Sequence, residues 1–314
     1  MPDHAKTARF PIGLSGAMFD TASYREHLEA AAENAYDSIQ LRSIHVAPGV
    51  SEAVIDDILA FVKERHIALN GLSCFTGNYG LLDDTACSAA FENFTQYVAL
   101  AVALNAGMLR VWPGWQASAA ASPHVWKQAA RWMRKSADYA SERGIRIAME
   151  MHHGTLCDSA AASVRLLEEI GQDNVGVMLD PVNLYQAPAD YGPRAIASLA
   201  DRIFDVHVKD IVALTGNYFP YAFEYSYYVK HIGRFAKVVP PQGSGERYFC
   251  HRRIHHGGVD WASVIHGLQQ IHYRGYLTVE SVCENNRLMP EGRRLAAVCK
   301  NDLEELLAAM EARG

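Results

Sequence analysis

The chain has 314 residues, 49% apolar and 20% charged, and its net charge of −6 excludes a chain-wide basic footprint for nucleic acid. Six scattered cysteines without a C-x-x-C pair fit reduced thiols better than a disulfide framework. The opening "MPDHAKTARF" lacks the apolar core of a signal peptide, and no stretch reaches the roughly 18 apolar residues of a membrane span, so a cytoplasmic protein that engages no membrane is expected.

After a loose polar tail over residues 1–9, short apolar runs alternate with longer amphipathic ones. A strand over 10–16 ("FPIGLSG") is followed by a helical pattern at 22–35, then a strand over 37–42 and a helix at 51–65 opened by Ser51. Strand 67–75 leads to helix 87–106, and strand 108–114 leads to helix 122–143, which opens on Ser-Pro and closes on Gly144. Strand 145–152 precedes helix 159–171, for which Asp158 or Ser159 supplies the cap. Strand 174–180, helix 190–201, strand 203–210, helix 259–273, strand 276–281 and helix 289–312 complete the series. Eight strand–helix units predict one domain over 1–314, a closed (β/α)8 TIM barrel. A doubly wound open sheet would need a phosphate loop or a reversal of strand order, and no G-x-G-x-x-G or P-loop motif marks one.

One segment breaks the rhythm. Residues 211–258, after the seventh strand, form a long insertion carrying Tyr218, Tyr221, Tyr225, Tyr227, Tyr228 and Tyr248 with Phe219, Phe223, Phe235 and Phe249. A βα loop of that length is usually functional, and it leaves the face where barrel active sites lie.

The stretch "IAMEMHHGTL" shows where the chemistry gathers. Side chains alternate along a strand, so Glu150 and His152 are expected to point into the barrel mouth while Ile147, Met149 and Met151 face the helices. Asp180 ends the sixth strand before Pro181, His207 lies between outward Val206 and Val208, and Glu280 ends the eighth strand. Four consecutive strands thus each deliver one metal-competent group: Glu150, Asp180, His207 and Glu280. Three carboxylates at close range repel, and a divalent cation neutralises most of that repulsion. One imidazole with three carboxylates suits Mn2+ first, with Mg2+, Co2+ or Zn2+ as alternatives, in an open site rather than a closed structural zinc site.

These residues and the signposts "AMEMHHG", "GVMLDPVN", "DVHVKD" and "GGVDW...YRGYLTVE" resemble the xylose isomerase-like barrel superfamily, often labelled sugar phosphate isomerase/epimerase, over nearly the whole chain. The resemblance places the family's metal ligands on Glu150, Asp180, His207 and Glu280. Ketose 3-epimerases of the family carry a histidine where this chain has Asn183, a glutamate where it has Leu156 and an arginine where it has Ala213. The three-zinc endonuclease branch also needs a histidine at 183. What remains is similar to inosose dehydratase and to the catalytic α subunit of C-glycoside deglycosidases, and the second group carries a histidine two residues after the first glutamate, here His152. The second group works with a small β-rich partner subunit, so the resemblance implies such a partner or a homo-oligomer.

The shared chemistry is removal of a proton next to a carbonyl of a keto-sugar or keto-glycoside, followed by β-elimination. His152 is the first candidate for the base, with Glu150 and Glu280 as alternatives. His153 faces the other way in the strand register and is expected to be structural. Lys209 either holds a substrate oxygen or pairs with Asp210, and Asn183 either binds a sugar hydroxyl or ties down its loop. Across the mouth stand Gln40 and Arg42, then His45; Arg42 is either a clamp for substrate oxygens or a core ion pair, His45 is a further candidate for substrate contact, and Trp112 with Trp115 offers a platform for a sugar face or simply core packing. His251, His255 and His256 cluster with Arg252 and Arg253, and His255 is taken as the member that reaches the mouth. An isomerase or epimerase using the same metal, and a non-catalytic carbohydrate-binding barrel, are the competing functions.

Overall fold

Alternation with period two turns these apolar runs into a barrel, because one face of each strand must meet helices and the other must meet its counterparts across the axis. The structure is a computed structural model that describes residues 9–19, 22–214, 248–281 and 292–312. In chain order its main elements are β1 (Ile12–Ser15), α1 (Tyr24–Glu33), β2 (Ser38–Arg42), α2 (Glu52–Arg65), β3 (Ala68–Gly77), α3 (Asp84–Ala103), β4 (Met108–Trp112) and α4 (Pro123–Ser141). There follow β5 (Arg146–Glu150), α5 (Ala160–Ile170), β6 (Val175–Leu179), α6 (Pro181–Gln186), α7 (Pro193–Leu199) and β7 (Ile203–Val208). The last are β8 (Asp210–Leu214), β9 (Tyr248–Arg252), α8 (Trp261–Gln270), β10 (Leu277–Val279) and α9 (Gly292–Glu311).

Eight of the strands close in the order β1-β10-β7-β6-β5-β4-β3-β2, with parallel neighbours throughout, which is the expected TIM barrel. Outward residues such as Ile39, Leu109, Ile147, Met149, Val177, Val206 and Val208 are fully buried under the helices. Inward residues divide by height. Met108, Ala148 and Met178 form a separate apolar cluster inside the barrel, with Phe204 packed against it. Two residues further along their strands the interior turns polar, and there the candidate residues lie. Among the described residues no helix is long and apolar enough to cross a membrane.

Local chemistry explains the helix starts. Ser122 accepts the N–H of Val125 and Pro123 occupies the first turn of α4, as the Ser-Pro pair predicts. Ser159, not Asp158, caps α5 by accepting from Ala162 N, while Asp158 accepts from Ser118 N at 2.9 Å. Helix α3 begins three residues before the expected 87 because Asp83 caps it through Ala86 N.

Three departures matter for the site. Strand β5 ends at Glu150, so His152 and His153 lie in the following turn, outside the alternation that assigned their directions. The expected strand 203–210 divides: β7 stops at Val208, and β8 leaves it to pair antiparallel with β9. The inserted loop is therefore partly sheet at its two ends, whereas its aromatic residues from Tyr218 to Phe235 lie outside the described residues. Arg9, assigned to a loose tail, forms an ion pair with Glu304 on α9; residues 1–8 lie outside the described residues.

The division after Val208 has a physical cause. The buried Asp210 carboxylate accepts the N–H groups of Ile211 at 2.8 Å, Gly257 at 3.0 Å and Val259 at 3.3 Å. Trp261, also buried, donates its indole N–H to Lys209 O at 3.1 Å. The "KD" and "GGVDW" signposts are thus one clamp that fixes the end of β7. A Cβ on Gly257 would stand 2.1 Å from Asp210 Oδ1 and 2.5 Å from Ile211 O. Gly257→Ala is accordingly expected to lower stability by about 1–3 kcal/mol, read as a drop in the midpoint of urea unfolding.

Candidate metal centre

The four groups singled out in the sequence do meet. Ligand-competent atoms of Glu150, Asp180, His207 and Glu280 all lie within 4.8 Å of one another, and all four residues are buried. His207 Nδ1 stands 3.2 Å from Glu280 Oε2, 3.8 Å from Asp180 Oδ2 and 3.9 Å from Glu150 Oε1. It is a buried nitrogen with no aligned hydrogen bond, as is the oxygen Glu150 Oε2. Two metal–ligand bonds of roughly 2.0–2.6 Å on opposite sides of an ion span such a gap. An imidazole nitrogen without a hydrogen bond, facing three carboxylates, therefore fits a divalent cation.

Positive side chains already press on this cluster. Lys209, inward on the β7 line two residues past His207, places Nζ 2.7 Å from both Asp180 Oδ2 and Glu280 Oε2. Its expected alternative partner, Asp210, is occupied by the backbone clamp instead. Burial works against the Lys209 charge, but Asp180 and Glu280 overcome it and raise its pKa. Burial likewise pushes Glu280 up, yet His207 and Lys209 hold its carboxyl well below the usual range. Arg110, almost fully buried on β4, brings Nη1 to 3.2 Å from Glu150 Oε2. Removing one partner from a buried charge pair typically destabilises by about 3–5 kcal/mol. Lys209→Met is expected to show a loss of that order in metal-free protein by urea unfolding, with most of it recovered on adding Mn2+.

Asn183 begins its chemistry inside the cluster. Its Nδ2 donates to Asp180 Oδ2 at 2.8 Å, Glu150 Oε1 at 3.2 Å and Met151 O at 3.2 Å, while its backbone N–H donates to Asp180 Oδ1. The Asn183 amide donors thus order two carboxylates and the turn after β5, which matches the loop-tying alternative.

His152 sits at the rim beside an aromatic wall. Its ring meets Trp112 edge-on at 5.0 Å and Trp115 at 5.3 Å, and those two indoles stack at 4.4 Å. Phe75, 58% exposed, continues the wall at 6.5 Å from Trp112, with the Arg42 and Arg110 guanidiniums over its face. His152 Nδ1 lies 2.8 Å from His153 O, so Nδ1 carries the proton and donates it, leaving Nε2 as the basic atom. Burial lowers its pKa to about 3, with Lys209 and Arg110 adding to the fall and Glu280 opposing it. His153 does not turn away as the register implied. Its ring lies 4.1 Å from that of His152, and burial lowers its pKa too, to about 3.

The other candidates divide. His45, half-buried, donates Nε2–H to Phe19 O at 2.7 Å, and Arg42 covers Phe75; both stand on the β2 side of the mouth. His255 is exposed in the loop after β9, with a positive φ of 68° and its ring 5.7 Å from His256, and the structure does not bring it to the four residues. The member of that cluster near the centre is His251 on β9, which feels the charges of Lys209, Asp180 and Glu280. Sequence reasoning also missed Arg110 and Asp205. Each had a signal in its spacing, since Arg110 is two residues before Trp112 and Asp205 two before His207, on the same inward faces.

The class of molecule is thus a parallel eight-stranded barrel with a buried, cation-ready acidic and imidazole cluster at its C-terminal mouth. The sequence matches the xylose isomerase-like TIM barrel family over residues 28–301, and the chain belongs to that family. Similar solved structures include the probable 3-DHS dehydratase AsbF from Bacillus anthracis, at 16% identity and a TM-score of 0.72, covering 95% of this chain and 98% of that one. D-allulose 3-epimerase from Methylomonas sp. is 18% identical with a TM-score of 0.69 over 95% of this chain and 98% of its own. The IOLI protein, solved with a zinc atom, is 15% identical with a TM-score of 0.71 over 96% and 99%. Among curated proteins none matches this chain.

Proposed function

We propose that this chain is a divalent-metal-dependent enzyme that removes the proton next to the carbonyl of a keto-sugar or keto-glycoside and drives a β-elimination. The observation that carries the reading is the buried convergence of Glu150, Asp180, His207 and Glu280, with the His152 ring beside it. The four would hold the ion, with Mn2+ preferred for the donor set. When bound, the ion supplies a Lewis acid that stabilises developing enolate charge. His152 Nε2 accepts the proton, and its Nδ1–H bond to His153 O keeps the ring in the basic tautomer. Lys209 serves as a second positive group for substrate oxygen, Asn183 keeps two carboxylates aimed, and Arg110 holds Glu150 from behind. Trp112, Trp115 and Phe75 give a wall that suits a sugar face or an aromatic aglycone. Arg42, over Phe75, and His45 extend that side of the rim toward β2.

Two of the similar structures support the reading: one is a probable 3-DHS dehydratase and the other a D-allulose 3-epimerase. Elimination is favoured over epimerisation because the resemblance to ketose 3-epimerases puts their histidine, glutamate and arginine at positions where this chain has Asn183, Leu156 and Ala213. The deciding assay incubates the purified chain, with and without a co-encoded small β-rich protein, with 3-keto-glucosides and their C-linked aromatic analogues. Release of water or aglycone that stops on chelation and returns with Mn2+ supports the reading. Solvent-proton exchange without loss of a group would move it to an epimerase, and full turnover by verified metal-free protein would end it.

A further inference from the structure

We propose, on the metal-site reading above, that Gln40, held by Asp205, is the positioning residue that presents the His207 Nδ1 lone pair to the three carboxylates. The bond that does this crosses the barrel: Gln40 is on β2 and His207 on β7, and two other strands stand between them in the sheet. Gln40, Ser73, His207 and Thr278 are fully buried, and Asp205 nearly so.

The orientation of each group follows from the chemistry of the next. Asp205 as a carboxylate only accepts, and it takes Thr278 Oγ1–H at 2.8 Å and the backbone N–H of Val206 at 3.0 Å. The Gln40 atom 2.8 Å from Asp205 Oδ2 must then be its amide nitrogen. Gln40 Oε1 consequently faces the other way, where it accepts Ser73 Oγ–H at 2.6 Å and His207 Nε2–H at 3.0 Å. Turning the amide over would set its oxygen against the Asp205 carboxylate and its N–H groups against the His207 donor. Thr278, its proton given to Asp205, accepts from Asn70 Nδ2 at 3.0 Å, so the far end of the chain is also fixed. With Nε2 protonated and engaged, Nδ1 is the basic nitrogen of His207, and it is the one that faces Glu280, Asp180 and Glu150. Outer partners of this kind commonly hold metal-binding imidazoles, and losing one usually weakens binding about 10–100-fold.

The test has two arms on full-length protein. Cadmium-113 is loaded into unmodified, 15N-histidine-labelled protein. Coupling of the metal to His207 Nδ1 with a protonated Nε2 is expected, and coupling to Nε2 overturns the proposal without any variant. Gln40→Met, its folding checked by circular dichroism and thermal unfolding, is expected to bind Mn2+ about 10–100-fold more weakly by titration calorimetry; unchanged affinity overturns it. Should that variant not fold, the cadmium spectrum decides. Unmodified protein that takes up no metal removes the metal-site reading and this inference together, whereas a bound ion with unaltered Gln40→Met affinity removes only the role of Gln40.

Discussion

Asp180→Asn is expected to reduce turnover roughly a thousandfold or more, because Lewis-acid stabilisation supplies several kcal/mol and each 1.36 kcal/mol is a decade in rate. The substitution is chosen to keep the cap of α6. Asp180 is also the N-cap of α6, accepting Asn183 N at 3.0 Å, and an asparagine keeps an oxygen for that bond. What disappears is one of three negative charges and the Oδ2 acceptor that Lys209 Nζ meets at 2.7 Å and Asn183 Nδ2 at 2.8 Å. Metal content measured by mass spectrometry should fall together with activity, and the metal-free protein should also unfold at lower urea, since Lys209 and Asn183 Nδ2 each lose a buried acceptor. Full metal occupancy with undiminished turnover would take Asp180 out of the centre.

His152→Ala separates base from metal. This residue is outside the four-membered cluster, so metal content should stay at the unmodified level while kcat falls about 10²–10⁴-fold. The pH behaviour adds a second signature. Burial brings the His152 pKa from 6.5 to about 3, so the imidazole is neutral across the physiological range and the acid limb of kcat/KM should not fall near 6.5. For stability the sign is the same. The unfolded chain binds a proton at His152 that the folded one refuses between those values, so its contribution is complete above about 6.5 and is lost as pH falls toward about 3. Removing the ring should flatten that part of the acid-unfolding curve. An acid limb that stays at 6.5, or a kcat unaltered in His152→Ala, would exclude it as the base.

The barrel and its cluster were readable for one shared reason. Glu150, Asp180, His207 and Glu280 each stand at or next to the end of an apolar run, and period-two alternation with parallel strands brings such ends together. The alternation stopped being a guide where the strand stopped. His153 was assigned an outward direction by a register that ends at Glu150, and its ring lies against His152 instead. For Lys209 the sequence leaves a substrate oxygen and Asp210 both open, but the carboxylates it reaches stand at the ends of β6 and β10, which a local reading does not supply. Asp205 and Arg110 each find their partner on another strand, Gln40 165 residues away on β2 and Glu150 on the next strand, β5, and no local pattern marks either pairing. Among the histidines 251, 255 and 256, only the β8–β9 register tells which one stands on the ladder, since His251 pairs with Ile211 and His255 falls beyond it. The residues that lie between Leu214 and Tyr248 offered composition without periodicity, which gives an aromatic content but no geometry.

That antiparallel ladder also bears on how the chain can change over time. Leu214 and Tyr248 are register partners, so the segment between them starts and finishes at adjoining points of a hairpin that is itself tied to the barrel through Asp210. Closure of a loop depends only logarithmically on its length, about 0.6 kcal/mol for each doubling. On closure entropy alone, halving or doubling the segment therefore shifts the stability of the scaffold by only about 0.6 kcal/mol. The hairpin acts as a socket, and descendants of such a chain can be refitted at that one place while the ion-holding apparatus is inherited intact.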